Sequence, residues 1–218
     1  MKKLLIFTLL LMGVITSNAQ TTPAKDFSAW KTTIYNTALT KANSKTIFVI
    51  SKKDYYLNVY GIVGNDTTLI ARFPVCVGRN PANKTRQGDH ATPESGPTVP
   101  FTISQIADAS TWKHDFGDGY GNKLAYGAWF LRLKLNGALA SNRSIGIHGC
   151  TGNEGTIPGS TAELRKGHGK GNDSEGCIRL NDPDIKTLKE KYAQVGTKVY
   201  ILSSTAERSA WEKALMKK

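Results

Sequence analysis

The sequence predicts a mainly-β (α+β) domain in which helices flank a meander of antiparallel strands. Three observations predict it. Short β-branched or alternating apolar stretches recur through residues 46–148 and again at 197–202. Clusters of Gly, Pro and Asn separate these stretches. Apolar residues at helical spacing occur only near the two ends and just after a glycine-rich segment.

Taken in order, Asp26–Leu39 reads as a helix, with Phe27, Trp30, Ile34 and Ala38 on one face. Thr46–Ile50 and Tyr55–Tyr60 read as strands. Gly64-Asn65-Asp66 is a turn, and Thr68–Val77 is a third strand. Gly78–Pro100 reads as a long loop, Phe101–Ile106 as a strand, and Ala107–Gly127 as irregular and aromatic. Ala128–Leu135 and Ser144–His148 are again strand-like. Gly149–Gly176 holds eight glycines in 28 residues, and a loop that long inside a domain is usually functional. A helix then opens at Asn181 or Asp182, with Pro183 in its first turn and Ile185, Leu188 and Tyr192 as its buried stripe. Gly196 ends it, Thr197–Leu202 is a final strand, and Ser204 with Glu207 forms a capping box for a C-terminal helix bearing Trp211 and Leu215.

The first residues read as an export signal. Lys2 and Lys3 precede an apolar run, Leu4–Ile15, and Ser17-Asn18-Ala19 puts small residues at the cleavage offsets. The run is too short for a bilayer span, which needs about 20 residues. The organisation expected is therefore a signal peptide at 1–19, an N-terminal helical segment at 20–45, a main domain at 46–202 and a C-terminal helix at 203–218. The location expected is the periplasm or cell envelope, without a stable membrane span after cleavage. The net charge is +12, from 29 Lys and Arg against 17 Asp and Glu. Export argues against nucleic acid as the partner. The acidic partners left are wall polymers, anionic headgroups and carboxylate-rich peptides, although the scattered charge equally suits a plain solvated surface. Cys76, Cys150 and Cys177 make an odd count, so at least one thiol stays free unless chains cross-link. A Cys76–Cys150 pairing stays open. In an oxidising compartment a free thiol asks for a reason.

Ser174-Glu175-Gly176-Cys177-Ile178-Arg179-Leu180 supplies one. A small, polar turn delivers a cysteine just before a buried apolar pair, so the thiol is held yet reachable. Gly176 lets the backbone approach a substrate, and neighbouring N–H groups can face an oxyanion. A thiol needs a base near neutral pH. His148 ends an apolar strand and precedes Gly149, so its ring direction can be fixed; His168 lies among Gly167, Gly169 and Gly171 and cannot be held so. A zinc site of His148, Cys150, His168 and Cys177 is the competing arrangement, but its spacing matches no common pattern. No metal or other cofactor is expected.

Gly88-Asp89-His90-Ala91-Thr92-Pro93-Glu94-Ser95-Gly96, Tyr126-Gly127-Ala128-Trp129, Ile147-His148-Gly149, and the signature at 174–180 followed by a helix and a Gly-Thr-x-Val strand occur in that order. Together they resemble the L,D-transpeptidase catalytic domain (YkuD-like) family. The likeness runs from about Thr46 to Leu202. It implies an antiparallel, sandwich- or barrel-like β fold and peptidoglycan L,D-transpeptidation on stem tetrapeptides through a Cys177 thioester, in wall biogenesis and cell shape. It implies Cys177 as nucleophile, His148 as base and the Gly149 carbonyl orienting the imidazole. Ser174, Gly176, Arg179 and Tyr126 fall on the substrate side. Arg179 suits a substrate carboxylate or a structural ion pair, and Tyr126 suits an oxyanion donor or a packing role. The expected partner is the stem peptide and the expected state a monomer. An L,D-carboxypeptidase or wall-anchor hydrolase on the same fold and a non-catalytic wall-binding module are the alternatives. A papain-like endopeptidase fits less well, because there the Cys precedes the His. Three departures stand out: Glu175 where the family often has His, a long His-to-Cys spacing that implies an insertion within 151–173, and Cys150 two residues after His148.

Overall fold

A computed structural model describes residues 32–114, 123–124, 126–142, 144–149 and 174–215. Its strands are β1 (Thr33–Ile34), β2 (Lys45–Ser51), β3 (Tyr56–Val63), β4 (Asp66–Pro74), β5 (Phe101–Asp108), β6 (Lys113–His114), β7 (Lys123–Leu124), β8 (Trp129–Lys134), β9 (Gly146–His148), β10 (Ile178–Arg179) and β11 (Lys198–Leu202). Its helices are α1 (Asp182–Lys191) and α2 (Thr205–Leu215). The signal segment and the glycine-rich stretch at 150–173 lie outside the described residues.

Nine strands form one sheet in the order β1-β4-β3-β2-β11-β5-β8-β9-β10; β6 and β7 pair separately. β2 is buried from Thr46 to Ser51, as a continuous apolar run requires of a strand covered on both faces. The expected antiparallel meander holds for β2-β3-β4 and for β5-β8-β9. Two pairings are parallel, β2 with β11 and β9 with β10, so the sheet is mixed. Parallel neighbours need a crossover connection. α1 lies on the connection from β10 to β11 and carries Ile185 and Leu188 into the core. The sheet also curls. The chain just after β4 exchanges backbone hydrogen bonds with β10 at the opposite end, Cys76 N–H to Arg179 O at 2.9 Å and Arg179 N–H to Cys76 O at 2.8 Å. The result is a half-barrel around Phe48, Leu57, Phe73, Leu131, Ile147 and Tyr192.

The expected helix at 26–39 is corrected where it is described. Residues 26–31 fall outside the described set, and Thr33–Ile34 instead pair with Ala71–Arg72 of β4. Two β-branched residues suit a strand edge. Asn36 then turns the chain by accepting the Ala38 N–H on its own side chain at 2.9 Å, a bond that competes with helix. The stretch read as irregular holds the end of β5 and the β6–β7 pair.

At the other end the capping box is present, shifted by one residue. Ser204 Oγ accepts the Glu207 N–H at 3.2 Å, while Glu207 Oε2 accepts the N–H and hydroxyl of Ser203, each at 2.8 Å. α2 is pinned by Trp211, whose ring lies 5.2 Å from that of Tyr60 and 5.1 Å from that of Tyr200. Trp211→Ala should therefore destabilise the fold by about 3 kcal/mol. Urea unfolding followed by far-UV circular dichroism measures this; a change below about 1 kcal/mol would show that α2 is merely appended.

Candidate active site

Strand register assembles the site. Across the antiparallel β8–β9 pair, Phe130 faces His148, Leu131 faces Ile147 and Arg132 faces Gly146. Across the parallel β9–β10 pair, Ile178 faces Ile147 and Arg179 faces His148; one residue earlier, Cys177 falls beside Gly146. Alternation sends Leu131, Ile147 and Ile178, all fully buried, into the core. The opposite face then carries two rows, Phe130–His148–Arg179 and Arg132–Gly146–Cys177. Adjacent strands lie about 4.8 Å apart and alternate residues about 6.6 Å, so the Cα atoms of Cys177 and His148 are about 8 Å apart with side chains on one face.

His148 is buried, with 2% of its surface exposed. Its ring stacks on Phe130 (centroids 5.5 Å apart, planes 9° apart) and meets Tyr126 edge-on at 5.0 Å. Nδ1 donates to the Gly149 carbonyl at 2.5 Å, which leaves Nε2 as the acceptor of the neutral ring. Burial lowers its pKa to about 3; the Gly149 carbonyl opposes that shift and the Arg179 charge adds to it. Gly149 is required here. A Cβ on it would lie 2.3 Å from Asp182 Oδ1 and 3.0 Å from the Cα of Gly127. Gly127, at φ +67°, is as crowded, and that close approach seats Tyr126 against the imidazole.

Cys177 is half-buried and its thiol donates to the Ser144 carbonyl at 3.3 Å. Burial pushes the thiol up to about 11, against the Gly146 backbone and the charges of Arg179, Lys84 and Arg132. The segment carrying it is gripped from both sides. Ser174 N–H donates to Val77 O at 3.0 Å, and Leu180 N–H donates to His148 O at 2.9 Å. Ser174, read from sequence as substrate-facing, uses its hydroxyl inside the turn. It accepts the Gly176 N–H at 3.0 Å and donates to Cys177 O at 2.5 Å. The Gly176 N–H is thereby committed to the turn. At φ +124°, Gly176 adopts a conformation that disfavours any side chain, and a Cβ there would lie 2.8 Å from Ala91 O. Arg179 is half-buried and extends to Cys76, Nη2 to Sγ at 3.3 Å. Tyr126 packs on Trp112 and Phe130 as well as His148. Burial, with the Cys177 sulfur nearby, raises its phenol above the usual range.

Sequence reasoning missed several supports. Thr92, fully buried, donates to Gly176 O at 2.9 Å and accepts the Gly78 N–H at 2.7 Å, so the Thr-Pro signature braces the cysteine turn. Asp89 gathers Lys84 Nζ and the backbone N–H groups of Thr85, Arg86 and Ala91, which holds its carboxyl below the usual range despite its burial. Lys52 is buried and joins Glu94, Thr92 O and Ala82 O. Glu175, the departure from the family pattern, pairs with Arg79 at 2.7 Å and with His90. The motif quoted in the sequence contained Asp89, Thr92 and Glu94, and buried charge or hydroxyl beside Pro and Gly was the signal available. Cys150 and His168 lie outside the described residues. Among the described residues no three His, Cys, Asp or Glu side chains converge as a metal site, and no helix is long and apolar enough to cross a membrane.

The sequence model of the YkuD family, the L,D-transpeptidase catalytic domain, matches residues 45–201. Among solved structures the chain is similar to Bd1075 of Bdellovibrio bacteriovorus, at 18% identity and TM-score 0.49, covering 82% of this chain and 58% of that one. It is also similar to the helical cell shape determining protein Pgp2 of Campylobacter jejuni (19%, TM-score 0.43, 73% and 47%) and to L,D-transpeptidase 1 of Mycobacterium tuberculosis (14%, TM-score 0.39, 73% and 62%). The chain spans about half to three fifths of the length of these proteins. No curated protein matches it. With the family match running from β2 into β11 and taking in both His148 and Cys177, the chain belongs to the L,D-transpeptidase catalytic domain family.

Proposed function

We propose that the protein is an exported peptidoglycan L,D-transpeptidase that acts through a Cys177 thioester. The observation that carries this reading is the placing of Cys177 and a rigidly held, neutral His148 on one face of β9–β10, within a family whose chemistry needs that pair. The resting pair is uncharged: a thiol at about 11 beside an imidazole at about 3. Attack therefore begins with the S–H swinging from Ser144 O toward His148 Nε2. The sulfur bonds to the carbonyl carbon before the terminal D-residue as its proton passes to the imidazole. The imidazolium then protonates the leaving amine, the C–N bond breaks, and a thioester remains. Burial and the Arg179 charge disfavour the imidazolium, so it returns its proton rapidly. An acceptor amine, relieved of a proton by His148, attacks the thioester and restores the thiol. The Gly149 carbonyl stabilises the Nδ1–H through both transfers. Arg179 extends onto Cys76, and its charge disfavours the imidazolium and favours the thiolate.

Purified stem tetrapeptide, offered with and without an acceptor peptide, tests this by mass spectrometry of protein and products. The expected results are a covalent adduct on Cys177, release of the terminal residue, and a cross-linked product only when acceptor is present, all absent in Cys177→Ser. Release of the terminal residue without cross-link would make the enzyme an L,D-carboxypeptidase. Turnover that survives Cys177→Ser would end the thioester reading.

A further inference from the structure

A cleft of about 540 Å³ has Thr85, Arg86, Gln87, Arg132, Asn142 and Ser144 among its lining residues. Ser144 links it to the nucleophile, because the Ser144 carbonyl accepts from the Cys177 thiol at 3.3 Å. No acidic side chain is among its described lining residues, whereas two arginines are. We infer that Arg132, with Arg86 in the same cleft, selects a substrate carboxylate within one residue of the bond that Cys177 attacks. The inference rests on the acyl-transfer reading above.

The geometry comes from the row Arg132–Gly146–Cys177. Arg132 and Cys177 stand two strands apart on one face, about 10 Å between Cα atoms. Gly146 intervenes without a side chain. The edge of the Phe130 ring lies where its Cβ would be, 2.4 Å from that position, and floors the gap. The Arg132 guanidinium sits over the same ring at 5.2 Å, and its Nε donates to Gln105 at 3.1 Å. The guanidinium is thus oriented beforehand, as recognition of a planar carboxylate requires. A carbonyl at Sγ and a carboxylate one residue further, about 4–6 Å away, fit the span from Cys177 to the tip of an arginine. Of the three cations that act on Cys177, Lys84 is matched by Asp89 at 2.7 Å and Arg179 extends onto Cys76. Arg132 is the one that lines the cleft.

Two carboxylates of a stem tetrapeptide meet the description. One is the terminal α-carboxylate of the leaving residue, and the other is a side-chain carboxylate on the residue that becomes acylated. Three peptides separate them: the acid tetrapeptide, its C-terminal amide, and the peptide amidated on that side chain. Acylation of Cys177 is read by intact mass. In the wild type one of the two amides should react about 10–100-fold more slowly than the acid peptide. Arg132→Gln should slow the acid peptide by a similar factor and react with that amide no worse than with the acid. The acid-to-amide ratio cancels the change Arg132 makes in thiol ionisation. Arg86→Gln, an exposed position, should lower the same ratio several-fold without bearing on folding. Equal rates for all three peptides in the wild type, or an undiminished ratio in both variants, would overturn the inference. If no peptide acylates Cys177, the acyl-transfer reading itself falls and this one with it. If the acid peptide acylates normally but the ratios are flat, only the carboxylate assignment falls.

Discussion

His148→Ala is expected to slow acylation of Cys177 by about 10²–10⁴-fold, the usual contribution of a positioned general base. The upper end is favoured by the thiol's own environment. With burial holding it near 11, only about one molecule in 10⁴ carries a thiolate at neutral pH, so unassisted attack is rare. The imidazole removes that penalty by taking the proton during attack, and it is available to do so because Nε2 stays unprotonated down to about pH 3. The signature lies in the pH profile as much as in the rate. The wild type should acylate at a nearly constant rate through the neutral range, while the variant should gain about tenfold per pH unit as thiolate accumulates. His148→Gln, which fills more of the space against Phe130, guards against a loss that reflects only the cavity. If both variants acylate at the wild-type rate, His148 is a packing residue and the proton goes elsewhere.

Much of the fold was legible because local signals and burial agreed. The β2 run and the capping residues of α2 each specify one structure, and each is found within a residue or two. Parallel pairing was not legible, because nothing within β11 or β10 says which neighbour a strand will choose. The misread segment at 33–39 had helical spacing, yet Ile34 finds its apolar contacts by lying along β4. Periodicity reports that a side chain is buried; it does not report against what.

The site divides in the same way. Cys177 and His148 stood out because each is a reactive residue at the end of an apolar stretch beside glycine. The residues that hold them did not stand out. Thr92 reaches Gly176 across 84 positions of chain, and Phe130 meets His148 only through strand register. Arg132 reads as one polar position in an alternating strand. Only the register of β8 with β9 and of β9 with β10, across the glycine at 146, puts it in the thiol's row. Glu175 looked like a defect in a motif and proves to be half of an ion-pair cluster with Arg79 and His90.

A neutral, buried His148 also makes the protein acid-sensitive. Its pKa is about 3 in the fold and 6.5 as a free side chain. Because the folded value is depressed, the unfolded chain binds the proton first as pH falls. The stabilisation is therefore complete above about pH 6.5 and is lost progressively as pH drops toward 3. Each unit in that window costs about 1.4 kcal/mol, so the loss from this one residue reaches about 3 kcal/mol at pH 4.5. That is a large fraction of an ordinary domain's stability. Carboxylates such as Asp89 and Asp54, whose folded values are lowered, lose their contribution only at lower pH. Urea unfolding of the wild type and of His148→Gln at pH 7 and pH 4.5 isolates the histidine, since every other group cancels in the difference. The wild type should lose about 3 kcal/mol more than the variant over that interval. Equal losses would mean that His148 takes up a proton while folded. Its folded value would then lie near 6.5, and acylation should fall off below that pH as the imidazole becomes an imidazolium.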